Sequence, residues 1–285
     1  MREEQDLIAH WFKGLIMNVQ VLVAAMHQTD HSLLEKMNIH SDAIIGNQCE
    51  ENRIENMQWN GHKIQYYSFA ERGVGLNRNN SLMRADGDIC LFADEDMRYY
   101  DDYAQIVKRA FEERPDADAI VFNIDIKGPN MGSRRNVASK RVRWFNALSY
   151  GASRLAVKTD SVKRENIMFH RCFGGGTMFS CGEDTLFIVD MLKHKLKIYT
   201  YPATIAQVDQ NTSTWFSGYN KKYLYDKGVL FRAISKRWCS LLCLQALIRH
   251  SQMYKEAGLR FWEAYSFMKL GSKGFEKLVQ YPDDI

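Results

Sequence analysis

The sequence predicts an α/β fold with a largely parallel sheet, and three observations support this prediction. Short apolar runs rich in β-branched residues recur over the first two thirds of the chain. Segments with helical spacing lie between them, and Pro and Gly, at 4 and 18 residues, are too sparse to mark a linker. Because alternating helices cover both faces of such a sheet, we expect its central strands to be buried.

The chain opens with a strand, a helix and a second strand. Residues 19–25 and 42–46 are the two apolar runs, and Leu33, Leu34 and Met37 repeat at helical spacing between them. The same alternation predicts strands at 63–69, 88–93 and 119–124, and helices at 75–84 and 102–113. Beyond residue 125 the pattern is looser, and it predicts a strand at 151–157 laid beside the first sheet, a helix from 183 or 184 to 194 and a strand at 196–201. Residues 219–270 are predicted to be helices rich in aromatic and basic side chains.

The composition excludes a disordered, fibrous or membrane-spanning chain. With 46% apolar and 25% charged residues, a chain of 285 residues can bury a core and leave a cleft. The best apolar run, residues 241–248, contains Gln245 and falls far short of the roughly 20 residues that a membrane span needs.

The sequence favours a cytoplasmic protein. Its first residues are acidic where a signal peptide would be basic. The 6 cysteines are scattered without a C-x-x-C pair, which suits a reducing compartment. Cys239 and Cys243 lie one helical turn apart, and we interpret them as buried helix thiols rather than half of a metal site.

Charge is unevenly distributed along the chain. Residues 1–130 hold 22 acidic against 13 basic residues, whereas 131–175 hold 2 against 10 and 216–285 hold 6 against 12. A basic stretch suits phosphate, anionic lipid or nucleic acid, or is simply solvated surface. The acidic first part argues against a continuous basic track, so we expect no nucleic-acid partner.

An acidic doublet follows the predicted strand 88–93. Ligands of open α/β sheets bind beyond the carboxyl ends of the strands, and Asp94 and Asp96 lie there with Glu95 between them. Two carboxylates at this spacing can hold a hard divalent cation and leave positions for diphosphate oxygens, although an acidic turn is the alternative. Two other D-x-D pairs precede strands, at the opposite end of the sheet: Asp86/Asp88 and Asp116/Asp118.

Two further motifs offer charged groups to a cleft. Arg78 lies in the first part of the predicted helix 75–84, where a helix amino end favours an anion, although a surface arginine is the alternative. Glu183 and Asp184 begin a predicted helix after a Gly-rich loop. A carboxylate there can accept a proton from a bound hydroxyl, or it can merely cap the helix.

The order of four motifs resembles the family 2 glycosyltransferases of the GT-A fold, of the type that builds bacterial surface polysaccharides. The motifs are Gly73-Val-Gly-Leu-Asn-Arg-Asn79, Ala85-Asp-Gly-Asp88, Leu91-Phe-Ala-Asp-Glu-Asp96 and Gly182-Glu-Asp184. The resemblance covers residues 17–215. We therefore expect a GT-A catalytic domain at 1–215 and a helical C-terminal extension at 216–285.

The resemblance implies specific roles for these residues. It implies a nucleotide-sugar donor, most often a UDP-sugar, with Mn²⁺ or Mg²⁺ held by Asp94 and Asp96. It implies that Asp184, with Glu183 beside it, acts as the catalytic base. The residues expected to contact the donor are Ala24, Ala25, Arg78, Asp94, Glu95 and Asp96.

The chain departs from the family pattern at three places. A Pro-x-Tyr-Asn sequence after the first strand is replaced by residues 24–28, and the acidic end of the second strand by Gly46-Asn-Gln48. The late histidine of some members is absent from 208–215, where Asp209 or Gln210 is a candidate substitute.

The implied activity is metal-dependent, inverting sugar transfer of the hexosyltransferase type. The acceptor would be a hydroxyl of a glycan or a lipid-linked oligosaccharide in cell-surface polysaccharide or capsule synthesis. A nucleotidyltransferase that makes sugar nucleotides is one alternative, but the loop after the first strand lacks its triphosphate-binding lysine. A non-catalytic sugar-binding protein is the other alternative.

The basic, aromatic extension leaves three interpretations open. It can contact an anionic membrane surface at the inner face of the plasma membrane, form a homodimer interface, or simply pack on the sheet.

Overall fold

The computed structural model describes residues 17–127, 135–209 and 218–280. The strands are β1 (Val19–Met26), β2 (Asp42–Gln48), β3 (Arg53–Trp59), β4 (His62–Phe69), β5 (Ile89–Asp94), β6 (Met97–Tyr99), β7 (Ala119–Lys127), β8 (Leu155–Lys158) and β9 (Ile198–Asp209). The helices are α1 (Leu33–Lys36), α2 (Val74–Arg84), α3 (Tyr103–Glu113), α4 (Thr159–Arg164), α5 (Glu183–Lys193), α6 (Lys221–Ile234), α7 (Cys239–Arg249), α8 (Gln252–Lys255) and α9 (Phe261–Gln280).

The described strands form one sheet in the order β3-β4-β2-β1-β5-β8-β7-β9-β6. The central strands β4, β2, β1 and β5 pair in parallel. β8 runs antiparallel between β5 and β7, and β3 and β6 are antiparallel edge strands. The predicted α/β fold with a parallel centre is therefore confirmed, and antiparallel strands extend it on both sides.

The central strands are apolar on both faces because helices cover both faces. Val21 and Val23 of β1 point into a cluster that includes side chains of α1 and α3. Leu22, between them, points into a second cluster on the opposite face, with side chains of α2 and α5. Because successive side chains of β1 enter two different apolar clusters, its sequence is a continuous apolar run. This run is the pattern that predicts the strand.

Strand β3 is absent from the sequence prediction. Among the described strands it pairs with β4 alone, at the edge of the sheet, and all of its residues are at least partly exposed. A polar edge strand lacks the apolar run by which the central strands are predicted. The turn nevertheless carries a signal, because Asn60 and Gly61 both adopt positive φ, of 50° and 81°, as an Asn-Gly hairpin turn requires.

The predicted strand at 151–157 is only partly correct. Residues Ala152–Arg154 form a 3₁₀ turn, and the strand begins at Leu155, inside the sheet rather than beside it. Polar groups of the turn bond to other parts of the chain. The Ala152 N–H donates to Asp184, and Nε of the buried Arg154 donates to the Phe122 carbonyl at 3.0 Å.

The predicted helical extension is present as α6, α7, α8 and α9. Its apolar side chains share a third cluster with Phe173, Phe179, Leu186 and Val189, which belong to the sheet-bearing part of the chain. The expected boundary at 215/216 lies outside the described residues. Among the helices that the structure describes, none combines the length and apolar character required to cross a bilayer.

Helices α6 and α9 touch at two glycines. A Cβ on Gly228 would overlap the Met268 carbonyl oxygen, and a Cβ on Gly271 would overlap the Tyr225 carbonyl oxygen. Each glycine therefore faces the other helix's backbone rather than a flexible side chain. Small residues are required here because the two backbones approach so closely.

We expect Gly228→Ala to destabilise the protein by at least about 3 kcal/mol in urea unfolding, because the two helices must separate. At an exposed helix position, Gly→Ala stabilises a protein by roughly 1 kcal/mol. The sign of the stability change in Gly228→Ala therefore shows whether the two helix backbones are in close contact. Gln245→Ala on the exposed side of α7 is the control and should change stability by less than about 0.5 kcal/mol. A neutral Gly228→Ala variant would contradict the close approach.

Candidate active site

Three parallel strands place the predicted site residues at one edge of the sheet. In the strand register, Ala24 of β1 is the partner of both Gly46 of β2 and Asp94 of β5. The carboxyl ends of these strands therefore lie side by side, where ligands of such sheets bind. Ala25 is 2% exposed, so of the two alanines only Ala24 offers side-chain surface at this edge.

Arg78 connects the two acidic motifs. Its side chain is only 4% exposed. Nη2 donates to Asp94 Oδ1 at 2.7 Å, and Nη1 donates to Asp184 Oδ1 at 2.5 Å and to Glu183 Oε1 at 3.3 Å. One planar guanidinium thus joins residues that are 16 and 106 positions away in the chain. The alternative that Arg78 is a surface arginine is wrong.

Burial and charge act in opposite directions on Arg78. Burial alone would lower the pKa of the guanidinium, but the charges of Asp184, Asp94 and Glu183 outweigh it and raise the pKa above its ordinary value. The guanidinium also lies over the Phe169 ring, 5.3 Å from its centroid. Arg78 is therefore a permanent cation with both its charge and its plane fixed.

Asp184 is held on both of its oxygens. While Oδ1 accepts from Arg78, Oδ2 accepts from the Ala152 N–H at 2.9 Å. Gly182, not Asp184, occupies the N-cap position of α5. The alternative that Asp184 merely caps the helix is therefore wrong. Gly151 borders the carboxylate so closely that a Cβ there would lie 3.1 Å from Oδ2.

Glu183 is the more buried of the two adjacent carboxylates. Burial, and then the charge of Asp184, raise its pKa to about 7, although the Arg78 charge opposes this shift. Its Oε2 accepts from the Gly182 N–H at 3.1 Å. Gly174 packs against its carboxyl group, where a Cβ would come within 2.6 Å of Cδ.

Asp96 lies beside Asp94 but outside the Arg78 cluster. Burial, and then the charge of Asp94, raise the pKa of Asp96 to about 6. Asp96 borders a cavity of about 240 Å³. The other residues that line the cavity are Lys36, Met97, Arg98, Lys127, Gln207 and Asp209.

The residues present fit a cation held by few protein ligands. In the described part of the chain, no three His, Cys, Asp or Glu side chains are arranged to ligate a metal. Burial and then repulsion from Asp94 raise the pKa of Asp96, and a divalent cation between the two carboxylates would relieve the repulsion. Mg²⁺ is commonly held by one or two carboxylates plus substrate phosphates. Asp209 lines the same cavity as Asp96, whereas Gln210 lies outside the described residues.

Glu95 ties the acidic loop to the end of β1. Its Oε2 accepts from the Met26 N–H at 3.2 Å and from Gln28 Nε2 at 2.7 Å. Gln28 in turn exchanges hydrogen bonds with Asn47, which follows Gly46 on β2. In this structure Glu95 therefore fixes the polar loop that replaces the family's Pro-x-Tyr-Asn sequence, and its predicted donor contact stays a prediction.

Sequence reasoning missed two polar side chains that flank Arg78 on α2. Asn77 Nδ2 donates to the Gly46 carbonyl at 2.7 Å, and Asn79 exchanges two hydrogen bonds with the Phe169 backbone, at 2.7 and 2.8 Å. These buried amides dock α2 on the strand end and on the segment that carries the Phe169 ring. Asn77, Arg78 and Asn79 all lie in the motif Gly73–Asn79, but the resemblance implies a role for Arg78 alone.

Sequence reasoning also missed the support behind the Glu183-Asp184 motif. Asp226 of α6 is fully buried. It accepts from the Ser180 N–H at 3.1 Å, from Ser180 Oγ at 2.9 Å and from Lys222 Nζ at 2.6 Å. Leu230, one turn further along α6, packs where a Cβ on Gly182 would stand. The helical extension therefore holds the segment that leads into the acidic motif.

Comparison with known families now identifies the class of protein. Glycosyl transferase family 2 matches residues 44–192, which is more than half of the chain. The chain therefore belongs to this family and is a glycosyltransferase, as the order of motifs predicted. No curated protein sequence matches the chain.

Solved structures agree on the fold, and the predicted GT-A type is confirmed. The chain is similar to S. aureus TarS 1–349 in complex with UDP-GlcNAc, with a TM-score of 0.60 and 13% identity over 82% of this chain and 72% of that one. The same TarS fragment with UDP gives a TM-score of 0.57 and 15% identity, again over 82% and 72% of the two chains. A longer S. aureus TarS structure gives 0.58 and 14%, over 82% of this chain and 43% of that one.

We expect Arg78→Met to destabilise the fold by about 3–5 kcal/mol in urea unfolding at neutral pH, because three carboxylates lose their shared cation. The loss should shrink in acid, where those carboxylates take up protons. Arg84→Met on the same helix is the matched control. Its guanidinium lies at the surface over Tyr67 and Phe69, so this change should cost about 1 kcal/mol or less. Equal effects of the two variants would contradict the bridging role.

The raised pKa of Glu183 predicts a pH dependence of stability. Between the ordinary value of 4.5 and about 7, the folded protein keeps a proton that the unfolded chain has released. Stability attributable to this group is therefore full below that window and falls as pH rises through it. Thermal melts across the window should show a steeper decline for the wild type than for Glu183→Gln. Parallel pH profiles would show that Glu183 is not the group responsible.

Proposed function

We propose that this protein transfers a sugar from a UDP-sugar to an acceptor hydroxyl, with inversion at the anomeric carbon and with the help of Mn²⁺ or Mg²⁺. The observation that carries the proposal is the Arg78 bridge. It places Asp94, from the donor-side motif, and Asp184, from the base motif, on one guanidinium at 2.7 and 2.5 Å. A metal-assisted transfer needs a diphosphate site and a base on opposite sides of one reacting carbon.

The proposed donor rests on the fold and the family. The S. aureus TarS structures of the same fold contain UDP-GlcNAc or UDP, and a uridine donor is what the motif order implies. The strand ends that would face the base carry Asn47 and Gln48, both buried at 2% and 4% exposure. Their amides are bonded within the protein, that of Asn47 to Gln28 and Ser68 and that of Gln48 to the Gly73 carbonyl, so they would shape a base pocket rather than bond the base themselves.

Asp184 is the proposed general base. Its side chain is 27% exposed, so an acceptor hydroxyl can reach it. Arg78 and the Ala152 N–H each occupy one lone pair of its oxygens, and they fix the direction of the carboxylate. A remaining lone pair of Oδ2 can accept the proton as the acceptor oxygen attacks. A single displacement of this kind inverts the anomeric centre.

Asp94 and Asp96 would hold the cation. When bound, it would act as a Lewis acid that withdraws charge from the departing diphosphate. Asp94 is 41% exposed and keeps one oxygen that does not bond Arg78, so it can serve the cation and the guanidinium together.

The proposed acceptor is a glycan or a lipid-linked oligosaccharide of a cell-surface polysaccharide. The Gly-rich loop supports an acceptor site beside the base. Gly174 and Gly176 adopt positive φ, of 100° and 76°, and Gly174 packs directly on Glu183. Backbone without side chains lets the loop pack on Glu183, and the proposed sugar would lie against the exposed part of the neighbouring Asp184.

A thermal-shift panel tests the donor assignment. Because a ligand that binds only the folded state raises the melting temperature, UDP and UDP-sugars with Mn²⁺ should stabilise the protein more than without it. Guanosine and cytidine diphosphates should stabilise it less. If no nucleoside diphosphate shifts the transition, with or without Mn²⁺, the proposed function is wrong.

Asp184→Asn should lower the transfer rate by about 10²–10⁴-fold, because an amide cannot accept the hydroxyl proton. Donor binding in the presence of Mn²⁺ should be retained, as measured by calorimetry. Asp190→Asn, on the exposed side of the same helix, is the control and should keep full activity. If Asp184→Asn loses donor binding instead, its role is structural.

Asp96→Ala should weaken Mn²⁺-dependent donor binding while leaving the metal-free affinity unchanged, because one carboxylate ligand is removed. Asp116→Ala, from a D-x-D pair that precedes a strand, is the matched control and should bind as the wild type does. Manganese titrations followed by calorimetry separate the two outcomes. An unaltered manganese dependence in Asp96→Ala would remove Asp96 from the proposed cation site.

A further inference from the structure

The outer side of α7 carries apolar side chains that no described part of the chain covers. Leu241 and Ile248 are 55% and 67% exposed, and Trp238, immediately before the helix, is 53% exposed. These residues recur at the helical period, on the side opposite Cys239 and Cys243, which are buried in the third cluster. A solvent-facing helix normally has polar residues at such positions.

The neighbouring helix α9 has the same character. Trp262 and Leu270 are 68% and 56% exposed, and the Trp262 ring makes edge contacts with Phe261 and Tyr265. Lys269 Nζ of α9 donates to Ser240 Oγ of α7 at 2.9 Å, and Cys239 Sγ donates to Ser272 Oγ at 3.3 Å, so the start of α7 lies against α9 near Leu270. We call the surface formed by Trp238, Leu241, Ile248, Trp262 and Leu270 the extension face.

The segment that carries the extension face is rich in basic residues. Over residues 236–276 the chain has seven Lys and Arg against three Glu. Two of these acids are already paired with arginines, Glu263 with Arg260 and Glu276 with Arg232. The basic residues of this stretch are Lys236, Arg237, Arg249, Lys255, Arg260, Lys269 and Lys273. Exposed apolar side chains on a segment whose basic residues are mostly exposed suit a partner that is apolar inside and anionic outside.

We propose that the extension face binds a lipid bilayer that contains anionic lipids. Trp is enriched at membrane interfaces, where its ring is apolar and its N–H is hydrated, and the aliphatic side chains can enter the acyl region. A second copy of the chain fits less well. A two-fold interface places the same patch on both sides, so the cations of one copy would face those of the other. This inference is independent of the donor and of the base.

Flotation with vesicles tests the proposal on the full chain. We expect binding to vesicles of phosphatidylcholine mixed with phosphatidylglycerol, and little to phosphatidylcholine alone. High salt should weaken it, because Coulomb attraction is screened. Lys273→Glu should weaken binding by about fivefold or more, since each basic residue near an anionic surface contributes about 1 kcal/mol. Leu241→Ser with Ile248→Ser should weaken it by about tenfold or more.

The matched control is Ile54→Ser, which alters a 58% exposed apolar residue on the distant edge strand β3 and should bind vesicles as the wild type does. Circular dichroism verifies that each variant is folded. The proposal is overturned by absence of binding to the anionic vesicles, or by equal binding to both vesicle types. It is also overturned if Leu241→Ser with Ile248→Ser leaves vesicle binding intact but abolishes a dimer seen in sedimentation, since the face would then join two copies.

Discussion

The site depends on one buried guanidinium. Arg78 is the cation shared by Asp94, Glu183 and Asp184, and these four residues come from three separate parts of the chain. Removing a shared partner from a buried ionic cluster leaves several charges uncompensated, so each element that positions Arg78 also positions the acids. Asn77 and Asn79 fix α2 on either side of it, and Phe169 fixes the plane of the guanidinium.

The helical extension also helps to position the acidic residues of the site. Asp226 satisfies the Ser180 backbone from a position with no solvent exposure, and Gly228 on the same helix lets α9 pack closely behind it. The acidic motif is therefore supported through Ala152 from the 3₁₀ turn before β8, and through Ser180 from the extension. We infer that the extension would be required for an ordered site even if it made no contact with an acceptor.

Local sequence was enough for elements whose signal is local. The strands β1, β2 and β5 are buried on both faces, so their sequences are continuous apolar runs that can be recognised locally. The doublet at Asp94 and Asp96 can be recognised because it directly follows one of these runs. Strand β3 and the turn at Ala152–Arg154 were missed because an edge strand and a polar turn have no apolar period. Asp226 was missed for another reason. Its role arises from contact with Ser180, 46 residues away, and spacing along the chain does not reveal such contacts.

The distribution of charge around the site supports the proposed cation. Three carboxylates share the single charge of Arg78, and the surplus of negative charge contributes to the raised pKa values of Glu183 and Asp96. A diphosphate brought to this edge would be repelled by the same surplus. Lys36, Arg98 and Lys127 line the cavity beside Asp96, so positive charge is available on that side. Asp94 belongs to the acidic region and Asp96 borders the basic one, so the proposed divalent cation and the diphosphate would neutralise each other and the protein where the two regions meet.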